Sequence, residues 1–307
     1  MPQPTSPGDY ADFYRQSIAP DTREAFWLEQ ARAIDWHQAP QQACDYHNPP
    51  FARWFADGQL NLCHNAVDRH LAQRADQPAI IAVSTETNTE RVYTFAQLHE
   101  EVQRMAAVLQ SFGVGKGDRV QIYMPMIAEA AFAMLACVRL GAIHSVVFGG
   151  FASVSLASRI DDAQPKVVIS ADAGSRGGKA IAYKPLLDEA LQLAKHKPAA
   201  VLLVDRGLAP MPLQAGRDHL WSTLRTQPQF SEAKVPCTWL NSSDPSYILY
   251  TSGTTGKPKG VQRDTGGYAV ALASSMQHIF AGKAGQTFFT TSDIGWVVGH
   301  SYIIYGP

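Results

Sequence analysis

Residues 246–260 read Ser-Tyr-Ile-Leu-Tyr-Thr-Ser-Gly-Thr-Thr-Gly-Lys-Pro-Lys-Gly. The first five residues are apolar and aromatic enough to form a buried strand. The residues that follow are mostly small hydroxylated residues and glycines. Glycines let backbone N–H groups approach an anion closely, hydroxyl groups donate hydrogen bonds, and Lys257 and Lys259 add positive charge. The stretch therefore predicts a phosphate-binding loop at the end of a strand.

This loop is not a Walker A loop. That motif requires a glycine five positions before its Gly-Lys pair, where this chain has Thr251. Its lysine is followed by a Ser or Thr that binds magnesium, whereas Lys257 is followed by Pro258, which has no N–H to donate. The alternative interpretation is an ordinary surface turn, because Gly, Ser, Thr and Lys are common loop residues.

Around this loop, short Val/Ile/Leu-rich runs alternate with amphipathic helical patterns. Such alternation is typical of an α/β fold with mostly parallel sheets flanked by helices on both faces. Ligands bind such sheets at the carboxyl ends of the strands, which is where residues 251–260 follow their strand. The predicted strands are residues 119–124, 142–148, 166–171, 200–204 and 246–250, and the predicted helices are residues 127–140, 153–163 and 185–196. A long Pro-rich connection separates the last two strands.

The first third of the chain has less regular patterns. Thr94 and Gln97 form a capping box that starts a helix, and Gly113 ends that helix. The other predictions are helices at residues 21–34 and 60–75, an irregular stretch at residues 39–53, and hairpin strands at residues 79–84 and 91–93.

The composition limits the classes of partner. The chain has 307 residues and a formal net charge of −1, so it lacks the basic footprint of a nucleic-acid-binding protein. No apolar run approaches the ~20 residues that a membrane span needs, so no membrane partner is expected. Cys44, Cys63, Cys137 and Cys237 lie far apart without metal-ligand spacing, which predicts free thiols in a reducing compartment. The expected location is the cytoplasm.

Two further segments carry residues suited to ligands. Residues 174–179 read Gly-Ser-Arg-Gly-Gly-Lys, in which Arg176 and Lys179 could clamp a phosphate. A solvated basic loop is the simpler alternative. Residues 290–300 mix polar and bulky apolar groups around two glycines, for which the alternative is a core turn with a satisfied histidine. We interpret His300 as a pocket wall or structural residue.

The 251–260 loop resembles the signature of the adenylate-forming superfamily, which includes acyl-CoA synthetases, luciferases and peptide-synthetase adenylation domains. Other segments resemble the short-chain acyl-CoA synthetases in its acetyl-CoA synthetase-like branch. These are Trp54-Phe55, Leu60-Asn61-Leu62, Asp68-Arg69-His70-Leu71 and the segments 142–151 and 295–302. Residues 48–55 and 260–268 look most like the members that act on propionate. The resemblance covers nearly the whole chain.

The resemblance implies roles for individual residues. The ATP phosphates would be bound by Thr251, Ser252, Gly253, Thr254, Thr255, Gly256 and Lys257, of which Thr251 and Lys257 are the catalytic candidates. CoA would be bound by Arg176, Gly177, Gly178, Lys179 and Val298, and the acyl group by Trp296 and Val297. Relatives often have arginine at the position of Lys179, and acetate-specific relatives often have threonine at that of Val298. No metal ligand is assigned.

The resemblance also implies a domain organisation. Residues 1–75 would form the N-terminal helical extension of short-chain acyl-CoA synthetases. Residues 76–307 would form an incomplete AMP-binding domain, the N-terminal part of the large adenylate-forming domain. The chain ends in the apolar segment 299–307, and an apolar terminus is expected to continue into packed structure. We therefore expect an N-terminal fragment, with the adenine contacts, the magnesium-binding glutamate and the C-terminal lid beyond Pro307.

The implied reaction has two steps, with Mg-ATP and CoA as substrates and no prosthetic group. Propionate attacks the α-phosphate of ATP to give propionyl-AMP and pyrophosphate, and the CoA thiolate then displaces AMP. The same chemistry on acetate is the first alternative, and a non-catalytic nucleotide- or CoA-binding remnant is the second. The fragment alone is expected to be inactive. The sequence does not indicate an oligomeric state.

Overall fold

The computed structural model describes residues 7–252 and 258–307, which form helices and strands in the following order. The first part contains α1 (Pro7–Ile18), α2 (Arg23–Ala31), β1 (Cys44–Asn48), β2 (Phe51–Trp54), β3 (Gln59–Leu60), α3 (Leu62–Ala66), a 3₁₀ turn (Asp68–His70), α4 (Leu71–Arg74), β4 (Pro78–Ser84), β5 (Thr89–Thr94) and α5 (Phe95–Ser111). The middle part contains β6 (Arg119–Tyr123), α6 (Ala128–Arg139), β7 (Ile143–Val146), α7 (Ser153–Ala163), β8 (Val167–Ala171), β9 (Ala173–Arg176), β10 (Lys179–Ala182), α8 (Tyr183–Leu193) and β11 (Ala200–Val204). The last part contains β12 (Asp218–Leu220), α9 (Trp221–Leu224), α10 (Pro228–Ser231), β13 (Leu240–Asn241), β14 (Pro245–Thr251), β15 (Lys259–Asp264), α11 (Gly266–His278), α12 (Val297–Gly299) and a π-helical turn (His300–Tyr305).

A seven-stranded sheet forms the centre of the described part of the chain, in the order β12-β11-β8-β6-β7-β14-β15. All neighbouring strands are parallel except β14 and β15, which are antiparallel. This arrangement confirms the prediction of a mostly parallel sheet. Because six of its strands run in one direction, their carboxyl ends meet at one edge, and the loops that leave those ends are brought together.

The two faces of the sheet carry separate apolar cores. Along β6, Val120 and Ile122 belong to the core that includes residues of α5 and α6, whereas Tyr123 belongs to the core that includes residues of α7 and α8. Successive residues of a strand point to opposite faces, so a strand buried on both faces is apolar almost throughout. This is why Val/Ile/Leu-rich runs in the sequence predicted the strands of the central sheet.

Several local predictions are confirmed. Thr94 and Gln97 form both hydrogen bonds of the capping box at the start of α5. Gly113 follows the end of α5 with a φ of +79°, a conformation that glycine adopts without the strain other residues incur. The strand and helix predictions at residues 200–204 and 153–163 match β11 and α7 at both ends.

Other local predictions are wrong. The stretch at residues 39–53 contains the antiparallel pair β1–β2, and the connection before β14 contains the parallel strand β12. The helix predicted for residues 60–75 is interrupted at Val67, whose φ of −128° and ψ of −64° lie outside the helical region. Val67 is fully buried, and the next residue, Asp68, is paired with Arg139 of α6. Tertiary contacts thus override the local helical pattern.

No helix among the described residues combines the length and apolarity that crossing a membrane requires.

Candidate functional site

The candidate site lies where the carboxyl ends of the central strands meet. Three segments leave the sheet there: residues 147–152 after β7, the β9–β10 hairpin after β8, and the segment that starts at Ser252 after β14, which ends at Thr251. Thr251 and Ser252 are exposed to solvent. The other predicted phosphate-binding residues, Gly253, Thr254, Thr255, Gly256 and Lys257, lie outside the described residues.

Thr251 is held by the two strands that flank the loop. It is the last residue of β14 and lies opposite Lys259 of β15. The preceding residue, Tyr250, donates its hydroxyl hydrogen to a carboxylate oxygen of Asp162 at the end of α7, at 2.6 Å. The loop therefore begins and ends on a paired strand, and its start is attached to a helix. This confirms that Thr251 ends a strand at the carboxyl edge of the sheet.

A buried arginine lies beside the start of this loop. Arg159 of α7 is 6% exposed, and its guanidinium lies 5.2 Å from the ring centre of Tyr250 and 4.5 Å from that of Phe151. Its Nη1 donates to the carbonyl of Ser155, and no carboxylate of the described residues pairs with it. Burial lowers the pKa of Arg159, which means that its charge is held in an unfavourable environment. An incoming anion would relieve that cost.

Sequence reasoning missed Arg159. A signal was present, because Leu156 and Ile160 mark the apolar face of α7 and Arg159 lies on that same side. A charged residue on a buried helical face needs a partner or a ligand. Its position over the ring of Tyr250, the residue before Thr251, depends on the tertiary contact between α7 and the end of β14, which local periodicity does not encode.

The predicted Gly/basic loop at residues 174–179 is a β-hairpin, so its description as a loop was wrong. Arg176 and Lys179 are opposite each other at the ends of β9 and β10. Gly177 and Gly178 form the turn, with φ values of +58° and +76°. This turn type requires positive φ at both central residues, which explains the two glycines without a ligand. Lys179 is exposed, so it remains available to a phosphate.

Tyr183 attaches this hairpin to the segment after β7. A Cβ atom added to Gly149 would lie 1.9 Å from the Tyr183 hydroxyl oxygen, and one added to Gly174 would lie 2.4 Å from it. Tyr183 is buried and stacks on Tyr123, with ring centres 4.8 Å apart. The Tyr123 hydroxyl in turn donates to the carbonyl of Phe151 at 3.2 Å. Glycine is required at residues 149 and 174 because the tyrosine occupies the space of a side chain.

We expect Gly149→Ala to destabilise the protein by about 1–3 kcal/mol, because the new methyl group displaces a packed aromatic ring. The measurement is the free energy of unfolding in urea. Gly115→Ala is the matched control, since its Cβ would lie 4.0 Å from the nearest atom and its backbone does not require glycine. Equal stability of the two variants would contradict this account of Gly149.

The third predicted group lies on residues 293–299. A Cβ added to Gly295 would lie 3.0 Å from the backbone nitrogen of Phe148, so the two segments touch. The Asp293 carboxylate accepts a hydrogen bond from the Gly295 N–H at 2.6 Å, and burial raises the pKa of that carboxyl group. Trp296, Val297 and Val298 are 55%, 44% and 45% exposed. These three side chains are therefore open to solvent. The described residues do not provide a wall that would enclose an acyl group against them.

His300 lies in the core. It is fully buried, with ring centres 4.6 Å from Tyr247 and 5.2 Å from His144. Burial lowers its pKa to about 4, so the ring is neutral at pH 7. Neither ring nitrogen has a hydrogen-bond partner among the described residues. This supports the structural interpretation of His300. Nearby, the carboxylate of Asp264 accepts a hydrogen bond from the Gly267 N–H at 3.0 Å.

The structure thus places three predicted groups at one edge of the central sheet: Thr251-Ser252, the β9–β10 hairpin and residues 293–299. Other residues connect these groups to one another. Thr251 connects through Tyr250 and Arg159 to Phe151. Gly174 connects through Tyr183 to Gly149, which follows Phe148, and Phe148 contacts Gly295.

Comparison with known proteins gives two family matches. The family of AMP-binding enzymes matches residues 67–307, and the acetyl-coenzyme A synthetase N-terminus family matches residues 10–66. The chain belongs to the AMP-binding enzyme family.

Individual relatives are similar over almost the whole chain. The chain is 61% identical over 298 residues to a propionate–CoA ligase of Escherichia coli and 62% identical over 298 residues to one of Salmonella typhimurium. It is 45% identical over 304 residues to the human mitochondrial acyl-CoA synthetase short-chain family member 3. These matches cover 97%, 97% and 98% of this chain but 47%, 47% and 43% of the relatives. The chain spans about half the length of the curated relatives it matches.

Proposed function

We propose that this chain is part of an ATP-dependent acid–thiol ligase that converts propionate, ATP and CoA to propionyl-CoA, AMP and pyrophosphate. The observation that carries the proposal is the 61% identity to a propionate–CoA ligase over 97% of the chain. The placement of Thr251 at a carboxyl strand end supports it, because ligands bind α/β sheets there. We further propose residues 1–75 as an N-terminal extension and residues 76–307 as the AMP-binding part.

In the first step, a propionate oxygen attacks the α-phosphorus of Mg-ATP, and pyrophosphate leaves. Negative charge grows on the leaving pyrophosphate. Thr251, Ser252 and the residues up to Lys257 donate hydrogen bonds and positive charge to it, and donors that are already in place stabilise such charge most effectively. The buried guanidinium of Arg159 adds positive potential next to the start of the loop.

In the second step, the CoA thiolate attacks the acyl carbon of propionyl-AMP, and AMP leaves. Arg176, Gly177, Gly178 and Lys179 on the hairpin turn contact the nucleotide end of CoA. Trp296 and Val297 contact the acyl group, and Val298 lies along the pantetheine arm. The packing of Tyr183 against Gly149 and Gly174 positions the hairpin relative to the acyl site.

The test is acid-dependent exchange of labelled pyrophosphate into ATP by the product of the complete gene. We expect exchange with propionate and weaker exchange with acetate. One methylene in an apolar pocket is worth about 1–3 kcal/mol, so the ratio of kcat/KM values should be about 10 to 200. Faster exchange with acetate than with propionate would contradict the assignment of propionate as the substrate.

The 307-residue chain is assayed in parallel, and we expect it to show no exchange. Absence of exchange with every short acid by the complete gene product, together with retained ATP or CoA binding, would contradict the ligase proposal. A non-catalytic binding protein would then take its place.

A further inference from the structure

Cys63 and Cys237 are distant in sequence but adjacent in the fold. Their sulfur atoms and one carboxylate oxygen of Asp68 all lie within 4.8 Å of one another. Both thiols donate to the same atom, Oδ2 of Asp68, at 3.8 Å each. Cys63 is fully buried, whereas Cys237 is partly exposed. The pair therefore has one sulfur that solvent can reach and one that it cannot.

Asn61 fixes the two segments that carry these cysteines. Its side-chain oxygen accepts from the Cys63 N–H at 2.8 Å, which caps the short helix α3. Its side-chain nitrogen donates to the carbonyl of Thr238 at 2.8 Å and to that of Val138 at 2.7 Å. Asn61 is fully buried, so these bonds are sheltered from water. One side chain thus holds the neighbour of Cys237 against the helical turn that contains Cys63.

Two cysteines and a carboxylate could also suggest a metal site, but a protein cation already fills this position. The Arg139 guanidinium donates to both oxygens of Asp68, at 2.8 and 2.9 Å, and to the Cys63 sulfur at 3.4 Å. Arg139 is 3% exposed and stays charged at every accessible pH. A divalent cation on the same ligands would be in contact with that charge. The arrangement therefore disfavours a metal ion on these three ligands.

We propose that Cys63 and Cys237 are a modification site at which a peroxide forms an intramolecular disulfide. Hydrogen peroxide oxidises the accessible Cys237 thiol to a sulfenic acid. The O–O bond of the peroxide breaks in this step, and one water is released. The Cys63 sulfur then attacks the Cys237 sulfur. The S–O bond breaks, and the hydroxyl group leaves with the Cys63 proton as a second water. Two thiols lose two electrons in total, and one peroxide gains them.

The neighbourhood accommodates this product. A disulfide requires sulfurs about 2.0 Å apart, and side-chain rotation of the partly exposed Cys237 can shorten the separation. Asp68 loses two weak thiol donors but keeps both bonds from Arg139 and its contact with His99 at 3.4 Å. The bond would join the segment matched by the N-terminus family to the AMP-binding part. It would close a long loop, which stabilises a protein by restricting its unfolded state.

The first test treats the reduced, folded chain with increasing hydrogen peroxide and measures its intact mass and disulfide-linked peptides. We expect a loss of two hydrogens, a cross-link between the peptides of Cys63 and Cys237, and free thiols at Cys44 and Cys137. The melting temperature should rise by about 5–10 °C and return on reduction.

Variants separate this disulfide from general oxidation. In Cys63→Ser, Cys237 should stop at the sulfenic or sulfinic acid. In Cys237→Ser, Cys63 should stay reduced because it is buried. Cys44→Ser is the control and should form the cross-link as the unchanged protein does. A cross-link through Cys44, a disulfide-linked dimer, or oxidation of Cys237 alone in the unchanged chain would overturn the proposal. Binding of one equivalent of zinc that blocks oxidation would overturn the choice of oxidation over metal binding.

Discussion

Lys257→Ala is expected to lower propionate-dependent pyrophosphate exchange by about 100- to 1,000-fold. The lysine is the cationic residue at the end of the 251–257 run, and its charge would act on the departing pyrophosphate. The larger part of the loss should lie in kcat, because the charge on pyrophosphate develops during the reaction and is smaller in the ground state. The measurement is the exchange rate of the complete gene product at varied ATP concentration.

Lys283→Ala provides the matched control for this variant. Lys283 is exposed in the segment that follows α11, and no salt bridge involves its side chain within the described residues. We expect its removal to leave exchange unchanged. An equal loss in the two variants would show a general effect of lysine removal. A rise in KM for ATP with unchanged kcat in Lys257→Ala would assign the lysine to ground-state binding instead.

Asp68→Asn is expected to destabilise the protein by about 3–5 kcal/mol, because it leaves the Arg139 guanidinium buried without a counter-charge. The measurement is the midpoint of urea unfolding. Asp12→Asn, in the exposed Asp12–Arg15 pair, is the control and should leave that midpoint unchanged. In the double variant Asp68→Leu, Arg139→Met, most of the stability should return, because no buried charge remains.

The Asp68 prediction includes a dependence on pH. Burial alone would raise the pKa of Asp68, but the hydrogen bonds from His99 and Arg139 outweigh burial and hold it well below its usual range. A carboxyl group with a lowered folded-state pKa contributes stability above its unfolded pKa of about 4 and loses it as the pH falls further. The stability difference between the unchanged chain and Asp68→Asn should therefore be full at pH 7 and smaller at pH 3.5. A constant difference over this range would contradict the assigned pairing.

Local patterns predicted five of the seven strands of the central sheet and the helices between them, because their information is contained in neighbouring residues; β12 and β15 were not predicted. Buried parallel strands are continuous apolar runs, and α5 begins with a capping box whose two partners are three residues apart. Local patterns failed where a distant residue decides the conformation. The helix predicted for residues 60–75 is interrupted next to Asp68, whose partner Arg139 lies in α6.

In the candidate site, too, some features were predictable from local sequence and others were not. The run at residues 246–257 predicts a phosphate-binding loop after a strand, and the structure confirms the strand that leads to Thr251. Glycines, hydroxyl groups and a lysine within one short segment are the basis of the predicted chemistry. The sequence did not predict that Arg159 is buried beside the start of this loop, because its position depends on the tertiary contact between α7 and the end of β14. The hairpin conformation of residues 173–182 was not predicted, because the Gly-Gly pair suits a tight turn as well as it suits an open loop around a phosphate.

The sequence by itself determined the α/β class and the strand that leads to Thr251, and it is the basis of the proposed loop chemistry, because each depends on residues close together in the chain. Only the tertiary structure decided that Thr251, the hairpin and residues 293–299 share one edge of the sheet. It also decided that Cys63 and Cys237 meet at Asp68. The physical reason is that such contacts arise when apolar faces of distant elements are buried together, and the pairing of those faces is set by the whole fold rather than by any local pattern.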